Sequence, residues 1–525
     1  MTVTTGTGAG ARQVHLRTCP LCEAMCGLEI HVADDRVELI RADRDDAWSR
    51  GHLCPKGTAV GHLHHDPDRL RRPLVREGDT WREVGWDAAF RRCDELLAPV
   101  IAEHGIEAVT AYVGNPLAHN FSLGRYVGIL IGMSGIPMIY SAGTVDLWPK
   151  NVSSHLMYGG MWKIPVPDIG RTDLLVVMGA NPHASQGSLL ACPDVALGGL
   201  DCMISVDNYL NETTRRAHVI LPGLSPLEQA HHDDLLWLFA VGSAARYSPP
   251  VFPPADGRPH EWEILIRLAG ACLGMPADEV AVAAIDDGFF DVMASTQGLD
   301  GPALRAGYDA GGPERLLDLT LRAGPFGDRY GEVPGGLTLD RVKAEPHGIH
   351  LGPMVPRLDQ VVTIPGGRVV LAPPYITADV PRLAARLDRP ADDLVLVNRR
   401  HLRSNNSWMH NVPVLVKGRN RCTLHIHPDD ARRCGVADGE VAAVASSAGR
   451  VEVPVEVTDA VTPGVVSLPH GWGHDRPGAR LSVAREHAGI NSNVLSPGDF
   501  VDVISGNAAV NGIPVTVEPA GVTAP

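Results

Sequence analysis

The sequence predicts an α/β region joined to a C-terminal β domain, headed by a small cysteine-rich segment. Three observations predict this. Short apolar runs end in glycine or Asx turns and alternate with helical periodicity over residues 73–248. The last 140 or so residues change to two-residue alternation between Asp-Gly and Pro-Gly turns, in "TLHIH", "EVAAVASSAGRVEVPVEV" and "GVVSLP". Near the start, "CPLCEAMC" places three cysteines within eight positions, and a fourth follows in "GHLCPKG".

Taken in order, the first element is the thiol cluster at Cys19, Cys22, Cys26 and Cys54. Six other cysteines are scattered singly, and a chain carrying 46 Lys+Arg against 61 Asp+Glu, read as unexported, is a poor setting for disulfides. Structural zinc usually takes two separate pairs of thiols. Three ligands from one loop and a fourth from a distant segment suit the four iron corners of a [4Fe–4S] cube. Zinc remains the alternative. Lys56, two residues beyond the last thiol, is by itself an ordinary surface charge.

"WDAAFRRCDELLAPVIAEHG" predicts a helix capped by Asp87, burying Phe90 and Cys93 and stopped by Gly105. "AVTAYVG" (108–114), "TDLLVVMGANP" (172–182) and "DCMISVDNYLNETT" (201–214) predict strands of a parallel sheet. Ligands collect at the carboxyl ends of such strands, where Gly179, Asn181, Asp207, Asn208, Thr213 and Thr214 fall. Residues 249–390 are rich in proline, glycine and short helical pieces and carry no constellation of reactive side chains. The terminal β region predicts a closed or nearly closed barrel. "NRRHLRSNNSWMHN" (398–411), ahead of it, is dense in donors and acceptors. The boundaries expected are 1–72, 73–248, 249–390 and 391–525.

The formal charge of −15 is spread along the chain rather than gathered in tails, which argues against nucleic acid as a partner. No apolar run is long enough to span a bilayer, and the first twenty residues lack an apolar leader core and a twin arginine, so a cytoplasmic protein with no membrane partner is expected.

Together, the C-x2-C-x3-C…C-P-K-G motif, "SAGTVDLWPK" (141–150), "MGANPHASQGS" (178–188), "VDNYLNETTRRAHVILP" (206–222) and the terminal barrel resemble the molybdopterin-dependent oxidoreductases of the dimethyl sulfoxide reductase and formate dehydrogenase superfamily. The resemblance implies a small N-terminal iron–sulfur domain, an α/β pterin-binding region and a C-terminal β-barrel dinucleotide-binding domain. It implies two pyranopterin guanine dinucleotides chelating one molybdenum or tungsten. On it, Cys19, Cys22, Cys26 and Cys54 match the cluster ligands, and Lys56 matches the lysine bridging cluster and pterin. Dinucleotide contacts are implied for Gly179, Asn181 and Ser185, for Asp207, Asn208 and Thr213, for Arg403, Ser404, Asn405, His410 and Asn411, and for His470 in "PHGWGH". Ser141 sits where serine-type members place the metal ligand, a hard oxygen suited to a high-valent metal. Asp146 is its rival, as ligand or as active-site acid/base. The implied chemistry is two-electron oxidoreduction of a small-molecule substrate, with electrons leaving through the Lys56 region and the cluster to an external partner. "IYSAGTVD" offers no cysteine or selenocysteine, which argues against an ordinary formate dehydrogenase centre.

The chain departs from the family in one place. Only 20 positions separate Asn181 from Asp201, where relatives continue through a complete α/β unit. A short helix near 193–198 and direct pairing of the flanking strands are expected from this shortening. Two other readings follow: a remnant that holds the cluster as an electron carrier or is inactive, and, if the thiols bind zinc, an interaction protein.

Overall fold

Two-residue alternation at the N-terminus builds an antiparallel sheet of β1 (Thr2–Thr5), β2 (Arg12–Thr18), β3 (Gly27–Ala33) and β4 (Arg36–Ala42), in that order. The protein is seen in a computed structural model that describes residues 2–5, 12–164, 202–388 apart from 235, 241 and 256, and 393–521. Leu28, Ile30 and Val32 of β3 point into the core while Glu29 and His31 face outward, as a pleated strand with one buried face requires. The β2–β3 register pairs Thr18 with Gly27, so Cys19 and Cys26 flank the mouth of the intervening loop.

The chain divides into two compact units, residues 1–140 with 199–354, and residues 141–198 with 355–525. In the first, β5 (Leu74–Glu77) and β6 (Thr80–Glu83) form a hairpin turned at Gly78, where φ is 60°. β7 (Thr110–Val113) and β8 (Met138–Ser141) make a separate two-stranded sheet. β9 (Ile204–Val206) and β10 (Val219–Leu221) pair in parallel, and β10 joins β5 antiparallel, giving the order β6-β5-β10-β9. The expected parallel sheet is thus a mixed one among the described residues, because the β5–β6 hairpin occupies the edge of β10. The expected strand at 174–178, its pairing with 202–206 and the helix at 193–198 lie outside the described residues.

The predicted long helix runs Trp86–His104, with Gly85 rather than Asp87 at its N-cap. Val84 is buried and donates its N–H to Pro73, which pins the exit from β6 and starts the helix immediately afterwards. Asp87 falls in the first turn, where its charge still favours the helix dipole. Gly105 ends the helix at φ 77°, and Cys93 is fully buried.

Three further helices of this unit, Glu261–Cys272, Val282–Ser295 and Pro313–Ala323, pack with Phe121–Ser134 around Tyr126, Phe290 and Leu316. A short pair, β11 (Ala244–Ala245) with β12 (Ile349–His350), closes it.

The second unit is dominated by one curled, mixed sheet. β13 (Val395–Arg399), β14 (Leu424–Ile426), β15 (Val441–Ala445), β16 (Arg450–Val457), β17 (Val465–Pro469), β18 (Ile513–Pro514) and β19 (Thr516–Pro519) pair in the order β18-β13-β17-β14-β16-β15-β19. The alternating residues Leu396, Leu424, Ile426, Val444, Val453, Val455, Val466 and Leu468 fill its core. No helix among the described residues is long and apolar enough to cross a membrane.

Candidate functional site

β2 delivers Cys19 and β3 begins just after Cys26, so the three-thiol loop is closed by the sheet itself. The Cys19 N–H donates to the Cys26 carbonyl at 2.7 Å, and the Met25 N–H to the Cys22 carbonyl at 3.1 Å. Met25 takes a left-handed turn (φ 47°) and is fully buried against Leu236, Ala240, Trp48 and Trp237. The Trp48 indole N–H donates to the Ala24 carbonyl at 3.2 Å.

Cys54 comes from the loop after β4, and the turn Gly57–Ala59 follows it, with Lys56 at its N-cap. A Cβ on Gly57 would stand 2.3 Å from Leu53 Cδ1, the movable end of that side chain, and 3.7 Å from Cys19 Sγ.

Cys19 and Cys26 are buried, and Cys22 and Cys54 half-buried. Burial first, then the neighbouring thiols, pushes Cys19 well up, and the same causes push Cys26 up to about 12. Cys22 is raised mainly by burial, while the Lys56 ammonium pulls it down. A nest of this kind disfavours thiolates unless a cationic centre compensates them, as a metal cluster does. Cys19 and Cys26 each feel the charges of other thiols of the set, and Cys22 and Cys54 act on both, so the four cysteines share one neighbourhood.

In the second unit, Ser141 ends β8 and its Oγ accepts from the Gly143 N–H at 3.1 Å, opening the helical turn Gly143–Asp146. Asn507 Nδ2 donates to the Val145 carbonyl at 3.0 Å and the Ala508 N–H to that of Thr144 at 2.8 Å, anchoring this turn to a C-terminal loop. Asp146 as a whole residue stays exposed. Desolvation of its carboxyl nevertheless pushes the pKa up to about 6, against the opposing pull of the Arg400 guanidinium.

Arg400 also donates to His470 Nε2 at 2.6 Å, which leaves that nitrogen unprotonated. Burial, then Arg400, lowers His470 to about 4.

His410 is almost fully buried, stacked on Trp472 with ring centroids 4.0 Å apart, and its Nδ1 lies 2.8 Å from His474 Nε2. His410 Nε2 and Trp472 Nε1 have no hydrogen-bond partner among the described residues. Such orphaned buried nitrogens call for a ligand or an ordered water. Nearby, burial and the charges of Arg421, Arg399, Arg403 and Arg419 lower His401 to about 4. Four guanidiniums gathered on one imidazole suit a phosphate-bearing ligand.

Of the other sequence-predicted residues, Ser404 donates to the His401 carbonyl at 3.3 Å, and the Asn405 carbonyl accepts from Trp408 at 3.2 Å. Asn411 Oδ1 accepts from the backbone of Val483 and Ala484, both at 3.1 Å, so its oxygen is engaged in holding the helix Ser482–Glu486. In the first unit, Asp207 follows β9 and accepts from the Tyr209 N–H at 2.8 Å and from Asn211 Nδ2 at 3.1 Å. Burial raises its carboxyl to about 6. Asn208 Oδ1 lacks a partner among the described residues, while the Thr213 N–H donates to Asn211 Oδ1 at 2.9 Å. Gly179, Asn181 and Ser185 lie outside the described residues. Arg400, Arg399 and Trp472 were not singled out by sequence reasoning, although all three lie in or beside the stretches it flagged.

Comparison with known proteins agrees with this geometry. Residues 13–65 match the molybdopterin oxidoreductase Fe4S4 domain, and residues 394–514 the molydopterin dinucleotide binding domain. The chain is 27% identical over 187 residues to a sulfite dehydrogenase subunit of Allochromatium vinosum, covering 34% of this chain and 18% of the relative. It is 25% identical over 217 residues to dimethyl sulfoxide reductase DmsA of Haemophilus influenzae, covering 37% of this chain and 26% of the relative. The matched stretches thus span about a quarter or less of these relatives' lengths. Among solved structures, acetylene hydratase from Pelobacter acetylenicus shares the fold with a TM-score of 0.65 at 12% identity, over 96% of this chain and 100% of that one. Residues 13–65 and 394–514 thus match the iron–sulfur and dinucleotide-binding domains of molybdopterin oxidoreductases, and the chain is similar to members of the dimethyl sulfoxide reductase family.

Proposed function

We propose that the chain is a molybdopterin-dependent oxidoreductase that takes two electrons from, or gives them to, a small-molecule substrate and exchanges them singly with an external partner through its [4Fe–4S] cluster. The single observation that carries this is the gathering of four cysteines in a segment that matches an Fe4S4 domain, in the same chain as a dinucleotide-binding domain. Molybdenum or tungsten on the pterin supplies the two-electron chemistry when bound.

The chain's own residues do the rest. Cys19, Cys22, Cys26 and Cys54 hold the cluster, and Lys56 keeps a positive charge beside Cys22. Arg399, Arg403, Arg419 and Arg421 bind phosphate, and the orphaned nitrogens of His410 and Trp472 bind a polar edge of the pterin dinucleotide. Arg403, Ser404, Asn405 and His470 complete that side, and Asp207, Asn208 and Thr213 serve the same ligand class in the first unit. Ser141 is the side-chain ligand to the metal. Asp146, with its carboxyl raised to about 6, holds or releases a proton near neutral pH.

Anaerobic purification followed by dye-linked assays over sulfur and nitrogen oxyanions and sulfoxides tests this reading. Turnover that disappears in Ser141→Ala while iron content is unchanged supports it. A protein that holds full iron, carries no pterin and turns over nothing is the electron-carrying remnant instead.

A further inference from the structure

Strand periodicity puts Arg17 and Cys19 on the same face of the chain leaving β2, because side chains two residues apart point the same way. Arg17 is 4% exposed. Its Nη1 donates to the Pro249 carbonyl at 2.9 Å, its Nη2 donates to the Pro226 carbonyl, and its Nε has no partner. Both acceptors are neutral. Among the described residues no carboxylate forms an ion pair with it.

A second buried arginine in the same wall is treated differently. Arg246 Nη1 donates to both oxygens of Asp46 at 2.9 and 3.2 Å, and its Nη2 to Asp233 at 3.3 Å. Two carboxylates cancel that guanidinium. Asp46 is packed so closely on Gly27, next to Cys26, that a Cβ there would stand 2.5 Å from it. The fold thus sets two carboxylates on one buried cation beside the cysteine loop, while the other has no carboxylate in ion-pair contact among the described residues.

A buried charge with no counter-ion is costly, and a fold that carries one needs an opposite charge from elsewhere. Four thiolates around a [4Fe–4S] core make a dianion in the oxidised state and a trianion after one electron is added, so the cluster is such a charge. We propose that Arg17 is the buried counter-ion of the iron–sulfur cluster and raises its reduction potential by favouring the extra electron. The inference rests on the cluster reading above. The carbonyls of Pro226 and Pro249 hold the guanidinium in place without dissipating its charge.

The test is an EPR-monitored redox titration of the full-length, anaerobically reconstituted protein, poised with dithionite and mediator dyes, with iron and sulfide assayed on each sample. Arg17→Gln should keep full iron and sulfide, and its reduced-to-oxidised ratio at fixed ambient potential should fall at least tenfold, about 59 mV for a one-electron couple. Arg17→Lys, which keeps the charge, should stay within about threefold of the wild type. If Arg17→Gln loses the cluster, Arg17→Lys decides, because it keeps the charge but not the two-carbonyl brace. Full iron with a ratio within about threefold of the wild type supports the charge, and loss of iron or a fall of about tenfold overturns the proposal. A full-iron Arg17→Gln protein titrating within about twofold of the wild type also overturns it. A wild-type protein with no iron overturns the cluster reading beneath it instead.

Discussion

A thiol buried among other thiols stays protonated until a metal compensates it, and this ties cluster assembly to individual residues. Cys54 stands 28 positions beyond Cys26 and comes from a separate segment. Cys54→Ser should therefore leave the sheet intact, with an unchanged far-ultraviolet circular dichroism spectrum, while iron and acid-labile sulfide fall to less than about a quarter of wild type. Retention of full iron would remove Cys54 from the ligand set. Asp146 offers a pH test. Its carboxyl is raised to about 6, so it is protonated below that and ionised above. A limb near pH 6 in the kcat profile of the wild type should be absent in Asp146→Asn. The cysteine spacing was legible in sequence because ligand spacing is local along the chain. Arg17 was not, since its meaning depends on carbonyls more than 200 positions away. A two-residue offset from Cys19 was the one signal available.

At the scale of elements, close backbone approach joins the loops that carry the candidate dinucleotide contacts. Gly471 has φ 87°, and a Cβ there would stand 2.4 Å from the Asn406 carbonyl oxygen. Backbone cannot move aside as a side chain can, so Gly471→Ala should destabilise the second unit by about 2–4 kcal/mol, read by chemical denaturation. It should also loosen nucleotide retention. A variant as stable as wild type would show that the loops are not locked together there.

In the first unit, Glu261 opens the helix Glu261–Cys272 while almost fully buried, and burial raises its carboxyl to about 7. Because the folded-state pKa lies above the unfolded value, the folded state favours the proton, and stability declines as pH rises from about 4.5 through 7. Glu261→Gln should therefore be more stable than wild type at pH 8 by about 2–3 kcal/mol and should match it below about pH 4.5. Equal stabilities at pH 8 would contradict this. The Trp86–His104 helix was legible because its periodicity spans five turns, and only its cap was displaced, from Asp87 to Gly85, by the buried exit from β6. The sheet was harder to read. A three-residue strand such as β9 does not encode its neighbour, and the hairpin that occupies the edge of β10 comes from over 130 positions earlier.

For the whole molecule, the alternation of the last 140 residues predicts a closed or nearly closed β-barrel, and a curled seven-stranded sheet carries that region. The stretches matched in two curated relatives cover 18% and 26% of their lengths. The shortening read from the sequence between Asn181 and Asp201 predicts fewer than two guanine nucleotides per chain, and two per molybdenum with robust turnover would contradict that reading. The central claim is that this chain holds an iron–sulfur cluster and a metal-bearing pterin dinucleotide together. Elemental and nucleotide analysis of one anaerobically purified sample tests it most directly. About four irons and four sulfides per chain, with molybdenum or tungsten and released guanine nucleotide in the same fraction, is the predicted result. Stoichiometric zinc without iron, or a protein free of guanine nucleotide and of both heavy metals, would contradict it.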